Sequence, residues 1–565
     1  MNGITIGEYL SKRLSSLKIK DFFAVPGDYN LVLLDEIIKN KSLNMINCCN
    51  ELNASYAADG YARVNGLSAM VVTFGVGGLS AINGIAGAYA ENLPVIIISG
   101  APNTNSLQRR EIVHHTTGLH DHSYIRRMFS EVCCHTECII SPEQAPIQID
   151  RAINEAVSCS KPVYIDICCN IANAIVPDIN VRNFINHHMS DELALKDAIK
   201  AIHEKVNKAV KPVIVVGSGC RNKEVSDAVA KLSSESGIAF ATMPDAKGFL
   251  SEEHANYMGH YWGPVSSTNV CEIVESSDCY LFVGANINDY TTSGYRNNIS
   301  VDKLIQIDRM SLQLDHKCFT RVYINDVITG LHSKIKKNDA ALVQFKKLNL
   351  EQELGISKTS VKASTNKISR QYLYNMIESK LTKDHLVLAE TGDSWFNGLD
   401  LKLPNKCGFE IQMQYGSIGW SVGALLGVQA ALNNKKRVVG LIGDGSFQMT
   451  AQELSTMIRY KLKPIIFLIN NASYGIEVQI HDGPYNVINN WSYAELVEVF
   501  RGNNMKAKSV VVSKENELQK AVNDAFKDDT LYLIEVKLDQ DDCNHKLLQW
   551  GKYVADYNSS EPLLK

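Results

Sequence analysis

The sequence lacks a strong charge imbalance and a long apolar run. Its 57 basic and 61 acidic side chains give a formal net charge of −4, and nowhere do about five Lys or Arg residues follow one another. No stretch reaches the roughly 18 uninterrupted apolar residues that a membrane helix requires. The first residues also lack the basic and apolar regions of a secretory signal. We therefore expect a cytoplasmic protein whose partners are neither nucleic acid nor membrane.

Cysteine is common, but its spacing is not that of a zinc or redox site. The 14 cysteines include three adjacent pairs, at residues 48–49, 133–134 and 168–169, and no CxxC occurs. Zinc ribbons and thioredoxin-like sites therefore have no support. A chain of 565 residues buries enough core to need no disulfide framework. We expect these thiols to be small, buried apolar side chains.

Short apolar runs, each followed by glycine or a small residue, dominate the sequence. They are nearly all apolar rather than alternating, which is typical of strands buried on both faces of a parallel sheet. Helix-length segments lie between them, among them residues 4–17, 80–91 and 450–460. The runs occupy residues 70–74, 94–100, 162–167, 212–217, 280–284, 304–307, 386–389, 438–442 and 464–469. This alternation predicts an α/β fold with parallel sheets.

Two polar segments, residues 181–197 and 334–370, interrupt this pattern. The first has few apolar residues and the second has many lysines, which is typical of linkers that run over a surface. They predict three α/β domains, each a doubly wound parallel sheet and each of a usual domain length. We place these domains at residues 1–182, 190–340 and 360–565.

The clearest chemical pattern joins two successive buried strands of the third domain. The first leads into Gly443-Asp444-Gly445 and a helix, and the second leads into Asn470-Asn471. Neighbouring parallel strands end at the same edge of a sheet, where α/β proteins bind ligands. Glycines let the backbone approach phosphate oxygens, and carboxylate and amide oxygens are ligands that Mg²⁺ accepts. The pattern therefore predicts a site for a diphosphate and a divalent cation.

Further stretches make the pattern specific. They include Ala24-Val-Pro-Gly-Asp-Tyr-Asn30, Ile112-Val-His-His115 and residues 50–63, 160–165, 389–397 and 477–491. Together with residues 443–471, these stretches resemble the pyruvate decarboxylase family of thiamine-diphosphate enzymes along nearly the whole chain. The resemblance implies thiamine diphosphate and Mg²⁺ as cofactors and a lyase that decarboxylates a small 2-oxo acid. It also implies a pyrimidine-binding N-terminal domain, a central domain and a diphosphate-binding C-terminal domain.

The resemblance assigns proton transfer to five residues. Glu51 would hydrogen-bond the aminopyrimidine ring of the cofactor and favour its imino tautomer. Asp28, His114, His115 and Glu477 would form the catalytic acid–base cluster. Histidine beside carboxylates titrates near neutrality, as such proton transfers need, and clustered groups titrate as a unit. No further His or Cys set has metal-site spacing, so we expect no zinc there.

Other positions match the family's cofactor and substrate contacts. Gly416 would hold the exocyclic amine through its carbonyl, and Ile418 would be an apolar wedge between the two cofactor rings. The remaining cofactor contacts would be Thr391, Asp393, Gly445, Ser446, Phe447, Asn471 and Ile476. The substrate pocket would be lined by side chains whose bulk leaves room for a small 2-oxo acid: Tyr290, Trp395, Ile476, Ile480 and Trp550.

The metal ligands implied by the resemblance are Asp444, Asn471 and the backbone carbonyl of Ser473. Ser473 is a departure, because the family commonly has glycine at this position. A serine carbonyl can bind the ion if the residue has a negative φ, whereas a positive φ would strain it. The geometry of this loop is therefore the open point in the predicted metal site.

We expect the reaction to be the non-oxidative decarboxylation of pyruvate to acetaldehyde and CO₂. One alternative is a decarboxylase of larger 2-oxo acids, such as phenylpyruvate or indolepyruvate. Another is an acetolactate synthase-like carboligase, against which the histidine pair and the lack of an evident flavin fingerprint argue. A third is a non-catalytic scaffold, which would need none of the acid–base residues. The resemblance further implies that the N-terminal domain of one chain faces the C-terminal domain of another, in a homotetramer built as a dimer of dimers.

Overall fold

The computed structural model describes residues 3–177, 190–353, 366–503 and 505–561. These residues form three large sheets with helices packed against them, and one small antiparallel pair of strands. The α/β class predicted from the apolar runs is confirmed. No helix in the described part of the chain is both long enough and apolar enough to span a membrane.

The N-terminal sheet has six parallel strands in the order β3-β2-β4-β5-β7-β6, and β1 pairs antiparallel with β8. The strands are β1 (Gly3–Thr5), β2 (Asp21–Ala24), β3 (Asn44–Asn47), β4 (Ser68–Val72), β5 (Val95–Ala101), β6 (His135–Ile139), β7 (Val163–Cys168) and β8 (Ile175–Pro177). The helices are α1 (Ile6–Ser16), α2 (Leu31–Ile38), α3 (Glu51–Asn65), α4 (Val76–Ala90), α5 (Thr104–Arg109), α6 (Tyr124–Ser130) and α7 (Ala145–Cys159).

The central sheet is mixed, which corrects the prediction of a wholly parallel one. Its strands are β9 (Pro212–Val216), β10 (Phe240–Thr242), β11 (Tyr257–His260), β12 (Cys279–Val283), β13 (Leu304–Ile307), β14 (Ser311–Leu314) and β15 (Lys317–Thr320), in the order β11-β10-β9-β12-β13-β14-β15. The pairs β13–β14 and β14–β15 are antiparallel. A turn as short as the one at Asp315 (φ 55°) cannot make a parallel crossover. The helices are α8 (Glu192–Lys208), α9 (Lys223–Ser236), α10 (Val270–Glu275), α11 (Ile324–Leu331) and α12 (Ala340–Glu353).

The C-terminal sheet has six parallel strands in the order β17-β16-β18-β19-β21-β20. They are β16 (His385–Ala389), β17 (Gly408–Glu410), β18 (Arg437–Gly443), β19 (Ile465–Asn470), β20 (Ala507–Val512) and β21 (Leu531–Lys537). The helices are α13 (Arg370–Glu378), α14 (Asp393–Asp400), α15 (Trp420–Ala431), α16 (Asp444–Thr450), α17 (Glu453–Arg459), α18 (Gly475–Ile480), α19 (Tyr493–Arg501), α20 (Glu515–Lys527) and α21 (His545–Asn558).

Successive residues of the central strands point into different cores, as expected for sheets covered on both faces. Val438 and Ile442 of β18 belong to one apolar core, whereas Val439 and Leu441 belong to another. The first of these cores also contains the buried residues of the N-terminal sheet. The N-terminal sheet and one face of the C-terminal sheet are therefore held in one continuous apolar core.

Helices α3 and α15 join these two sheets through direct backbone contact. A Cβ added to Gly427 would lie 1.8 Å from the Ala57 carbonyl oxygen, and one added to Gly60 would lie 2.3 Å from the Ala424 carbonyl oxygen. Only glycine permits this approach, because any other residue would force the helices apart.

Part of the second predicted linker is helical. Helix α12 runs from Ala340 to Glu353, and Ala341, Leu342 and Phe345 are buried on one side of it. Lysine-rich composition concealed this short apolar face. Residues 181–189 and 354–365 of the two predicted linkers lie outside the described residues. The domain boundaries at residues 182, 190, 340 and 360 therefore stay a prediction.

Candidate functional site

The predicted metal ligands meet at the carboxyl edge of the C-terminal sheet. Strands β18 and β19 are neighbours, with Gly443 paired to Ile469, so the residues that follow them lie side by side. Asp444 begins helix α16 directly after β18. Its buried carboxylate accepts hydrogen bonds from the backbone N–H groups of Gly445, at 2.9 Å, and Ala472, at 2.7 Å. The two loops are thus tied together through Asp444.

The Asp444 carboxylate and the Ser473 carbonyl oxygen meet at the side-chain amide of Asn471 between these loops. The Asn471 side-chain oxygen lies 3.2 Å from Asp444 Oδ1 and 3.0 Å from the Ser473 carbonyl oxygen, and a turned amide would place its nitrogen there instead. Adjacent ligands of an octahedral Mg²⁺ ion, with bonds of about 2.1 Å, lie about 3.0 Å apart. The donor set and its spacing therefore fit a magnesium ion. Burial raises the pKa of Asp444 to about 6, because the ionised carboxylate is poorly solvated there. A bound cation would stabilise the ionised form and offset this desolvation.

The glycine-to-serine departure does not strain the predicted ligand. The positive φ of this turn falls on Ala472, at 57°, and Ser473 is not among the described residues with positive φ. Ser473 is buried, and its hydroxyl oxygen has no hydrogen-bond partner among the described residues. Its carbonyl is therefore available to a cation without the backbone strain that a positive φ would impose.

The predicted diphosphate contacts surround this oxygen cluster. Gly445, Ser446 and Phe447 form the first turn of α16, and a Cβ on Gly445 would lie 2.5 Å from the Tyr474 ring. Thr391 follows strand β16, and its hydroxyl is buried with no hydrogen-bond partner in the described chain. A buried hydroxyl without a partner is costly unless a ligand satisfies it, so Thr391 fits the predicted cofactor contact.

Asp393 is committed to other contacts. One carboxylate oxygen accepts from the Asn544 backbone N–H at 2.9 Å, and the other accepts from the Asn397 amide at 2.5 Å. Burial raises the pKa of this carboxyl. The side chain therefore anchors the start of helix α21, and its predicted contact with the cofactor stays a prediction.

Glu390 is a buried positioning residue that sequence reasoning missed. One of its oxygens accepts from the Thr391 N–H at 2.8 Å, and the other accepts from the N–H groups of Gly419 and Ser421 at 3.2 and 3.0 Å. It thereby links Thr391 to the segment that carries Gly416 and Ile418. Its place directly before Thr391 in the motif was the available signal.

Asp28, His114 and His115 lie together at the carboxyl edge of the N-terminal sheet. His114 Nε2 is 2.5 Å from Asp28 Oδ2, and His115 Nε2 is 3.5 Å from Asp28 Oδ1. Burial raises the pKa of Asp28, but the His114 hydrogen bond and both imidazole charges outweigh it, and the net pKa is lowered. The cluster therefore pairs a carboxylate that remains ionised with two imidazoles.

Two further residues shape this cluster. The Tyr29 ring stacks on His114, with centroids 4.6 Å apart and planes 9° apart. Gly75 has a φ of 64°, and a Cβ there would lie 1.8 Å from the His115 carbonyl oxygen. Tyr29 lies inside the motif of residues 24–30 and Gly75 directly follows the apolar run 70–74, but only the fold shows that they contact the histidines.

Glu51 is the first residue of helix α3, which the Asn50 side chain caps by accepting from the Asn53 N–H. Glu51 is half-buried, and this burial raises its pKa. Its Oε1 lies 3.2 Å from where a Cβ on Gly77 would be, so helix α4 passes close to it. The carboxyl thus sits at the same sheet edge as the histidine cluster and is biased toward its neutral form.

Bulky side chains gather beside Gly416. A Cβ there would lie 3.5 Å from Tyr290 and 3.8 Å from Trp395. The Tyr290 ring packs edge-on against Trp550 at 5.1 Å. Ile476 belongs to the same core, and Ile480 packs against it. The predicted substrate-pocket residues are therefore neighbours beside Gly416.

Glu477 and the histidine cluster belong to different sheets. Glu477 is exposed, and in the described chain no hydrogen bond or ion pair joins it to Asp28, His114 or His115. The side chains of Asp28 and His114 are 52% and 58% exposed. The structure thus brings the predicted metal ligands together, and groups Asp28 with His114 and His115, but does not group Glu477 with them.

Three family models match the chain in sequence. Residues 4–125 match the N-terminal TPP binding domain of thiamine pyrophosphate enzymes, residues 199–328 the central domain, and residues 394–536 the C-terminal TPP binding domain. The metal and acid–base clusters described above lie in or beside the two TPP binding domains. These matches agree with the predicted order of pyrimidine-binding, central and diphosphate-binding domains.

The chain is similar over nearly its full length to curated plant proteins. It is 45% identical to pyruvate decarboxylase 2 of Arabidopsis thaliana, across 99% of this chain and 92% of that protein. It is 46% identical to pyruvate decarboxylase 4 of the same plant, across 99% and 93%, and 45% identical to pyruvate decarboxylase 1 of Zea mays, across 99% and 92%. On this similarity and the three matched domains, the chain belongs to the thiamine pyrophosphate enzymes and, within them, to the pyruvate decarboxylase family.

Proposed function

We propose that this protein catalyses the non-oxidative decarboxylation of pyruvate to acetaldehyde and CO₂, with thiamine diphosphate and Mg²⁺ as cofactors. The observation that carries the proposal is the convergence of the Asp444 carboxylate, the Asn471 side-chain amide and the Ser473 carbonyl at one sheet edge, in a chain of this family. Its relatives are named pyruvate decarboxylases, which supports pyruvate as the substrate.

The chain's own residues would hold the cofactor by its two ends. Asp444, Asn471 and the Ser473 carbonyl would bind Mg²⁺, and the unpartnered hydroxyl of Thr391 would donate to the diphosphate. Glu51 would hydrogen-bond the pyrimidine end. Bound thiamine diphosphate supplies the electron sink for the pair of electrons that departing CO₂ leaves behind.

The acid–base cluster would move the protons of the reaction. Asp28 stays ionised beside two imidazoles, so it stabilises an imidazolium formed when either histidine takes a proton. Tyr29 holds the plane of the His114 ring by stacking. The protons are then delivered by a fixed imidazole rather than by bulk water.

The aromatic pocket favours a small substrate over phenylpyruvate or indolepyruvate. The Tyr290 ring packs edge-on against both Trp395 and Trp550 beside Gly416. A phenyl ring would compete for space with these aromatic side chains, of which Trp395 and Trp550 are fully buried.

We infer further that a second copy of the chain completes the site, within a homotetramer arranged as a dimer of dimers in the cytosol. Asp28 and His114 are more than half exposed in one chain, which is unusual for catalytic groups that must exclude water. Glu477 is exposed on the other sheet. If the N-terminal sheet of one copy faced the C-terminal sheet of another, Asp28 and His114 of the first copy and Glu477 of the second would become buried.

The substrate proposal is tested by measuring kcat/KM for pyruvate, phenylpyruvate and indolepyruvate with aldehyde detection. We expect pyruvate to exceed phenylpyruvate at least about tenfold, since overfilling a packed pocket is costly. A higher kcat/KM for phenylpyruvate would favour the larger-substrate decarboxylase. Acetolactate as the main product would favour the carboligase. Cofactor binding without release of CO₂ from any 2-oxo acid would favour a scaffold.

A further inference from the structure

A cavity of about 200 Å³ lies in the N-terminal domain, apart from the predicted cofactor contacts. It opens at the carboxyl edge of the sheet, between Phe74 after β4, Ala101 at the end of β5 and Asp166 on β7. Helix α6 covers it and contributes Arg126. Carboxyl edges of parallel sheets are where α/β proteins bind ligands, so this cavity has the position of a ligand site.

Cationic and imidazole groups line the cavity from several elements. Arg110 and His120 come from the segment after α5, His122 precedes α6, and Arg126 lies on α6. His122 is only 8% exposed, and its Nε2 has no hydrogen-bond partner in the described chain. A buried ring nitrogen without a partner costs free energy unless a ligand satisfies it.

The acidic residues of the cavity do not cancel these positive charges. Asp121 is already engaged, because it accepts from Ser123 N–H and hydroxyl groups and from Arg127 Nη1 at 2.9 Å. Asp166 is buried and accepts from the Tyr164 hydroxyl at 2.6 Å. Burial raises the pKa of Asp166 to about 7, although the charge of Arg126 lowers it, so near neutrality part of the Asp166 population is uncharged. Two arginines then dominate the charge of the cavity.

We propose that this cavity binds a compact oxyanion of the phosphate or carboxylate class, held by Arg126 and His122 inside and by Arg110 at the mouth. The planar guanidinium of Arg126 suits such oxygens, and the free Nε2 of His122 supplies a donor. The volume admits an inorganic anion or a small organic one, and excludes a nucleotide.

Occupancy would also order the segment that carries the histidine pair. His120 Nδ1 donates to the Arg110 carbonyl at 2.7 Å, which closes residues 110–120 into a loop. His114 and His115 lie inside that loop. An anion that ties Arg110 to Arg126 would fasten the loop to helix α6.

The test is equilibrium dialysis of the full-length holoenzyme, loaded with thiamine diphosphate and Mg²⁺, against inorganic phosphate and, separately, acetate. We expect saturable binding of one equivalent per chain for at least one of the two anions. Arg126→Gln and His122→Phe should each weaken it at least about tenfold, the loss expected for one charge-assisted hydrogen bond. Arg109→Gln, a matched change at a side chain 73% exposed beside the cavity loop, should alter binding less than about twofold.

Hydrogen exchange of residues 110–123 gives a second readout that does not depend on activity. In the wild-type holoenzyme the bound anion should slow exchange in this segment, and in Arg126→Gln it should not. Binding by phosphate alone would assign the site to phosphate groups, and binding by acetate as well would extend it to carboxylates. The proposal is overturned if neither anion binds saturably, or if binding persists unchanged in both cavity variants.

Discussion

At the scale of single residues, the account depends on side chains whose environment changes their chemistry. Glu51 is half-buried at the start of α3, and burial raises its pKa. Asp28 is exposed beside two imidazoles and has a lowered pKa. The two carboxyls are thus tuned in opposite directions, as expected where one must share a proton and the other must stabilise positive charge.

Replacing Glu51 by Gln should abolish activation of the cofactor and leave the fold intact. The amide keeps the shape of the side chain but cannot share a proton with the aminopyrimidine ring. Exchange of the thiazolium C2 proton for deuterium, followed by NMR on the bound cofactor, measures this directly. Glu378→Gln, at a partly exposed residue whose side chain accepts from the Lys402 N–H, is the control. A wild-type exchange rate in Glu51→Gln would remove the proposed role.

Asp166→Asn should change how thermal stability depends on pH. Burial raises the pKa of Asp166 to about 7, against about 3.9 in the unfolded chain. Its stabilising contribution is therefore complete below about pH 3.9 and is lost as pH rises through 7. The amide that replaces the Asp166 carboxyl stays neutral, so the difference in Tm between the variant and wild type (variant minus wild type) should increase from about pH 5 to about pH 7.5. Both proteins are measured in phosphate-free buffers at one scan rate. A difference in Tm that does not change with pH for Asp166→Asn would contradict the raised pKa of Asp166.

Much of the site could be predicted from sequence because its residues follow strands directly. Asp444 and Asn471 come immediately after neighbouring buried strands, so their proximity follows from parallel topology alone. Glu390, Gly75 and Tyr29 could not be assigned in this way. Their importance arises from contacts with residues far along the chain, such as Gly419 for Glu390 and His115 for Gly75.

At the scale of elements, Glu390 connects the end of strand β16 to the turn before helix α15. Glu390→Ala should raise the apparent Kd for thiamine diphosphate about tenfold or more, because Thr391 and the Gly416–Gly419 turn lose their shared acceptor. Glu378→Ala removes a carboxylate that accepts a backbone N–H elsewhere in this domain and should leave the Kd unchanged. Titration of the cofactor into apoprotein measures both. Equal Kd values for the two variants would show that Glu390 has no positioning role.

Secondary structure could be predicted from the sequence where the apolar pattern was long and continuous. The prediction failed where the apolar pattern was short. The parallel strands of the N- and C-terminal sheets follow the continuous apolar runs. The antiparallel strands β14 and β15 are short and half-exposed, and lysines mask the buried side of α12. In these elements the tertiary contacts, rather than the local pattern, decide the structure.

At the scale of the whole molecule, the two halves of the proposed active site lie on different sheets. If the site forms between copies, a mixture of Glu51→Gln and Asp444→Asn subunits should regain activity. Each hybrid dimer would contain one site with both substitutions and one site with neither. Random reassociation of equal amounts makes about half of the dimers hybrid, so up to about a quarter of wild-type activity should return. Sedimentation or light scattering on the same samples gives the assembly. Two inactive variants that stay inactive after verified exchange of subunits would place the whole site within one chain.

The most direct test of the central claim is acetaldehyde formation from pyruvate after both cofactors are removed by chelation and gel filtration. The account predicts no activity in the apoprotein and full recovery only when thiamine diphosphate and Mg²⁺ are restored together. Asp444→Asn should need at least about a hundredfold more Mg²⁺ to recover acetaldehyde formation, since loss of a direct ligand costs more than loss of a supporting contact. The control variant, Asp524→Asn on the exposed side of α20, should recover like wild type. Full acetaldehyde production by the apoprotein, or normal Mg²⁺ dependence in Asp444→Asn, would contradict it.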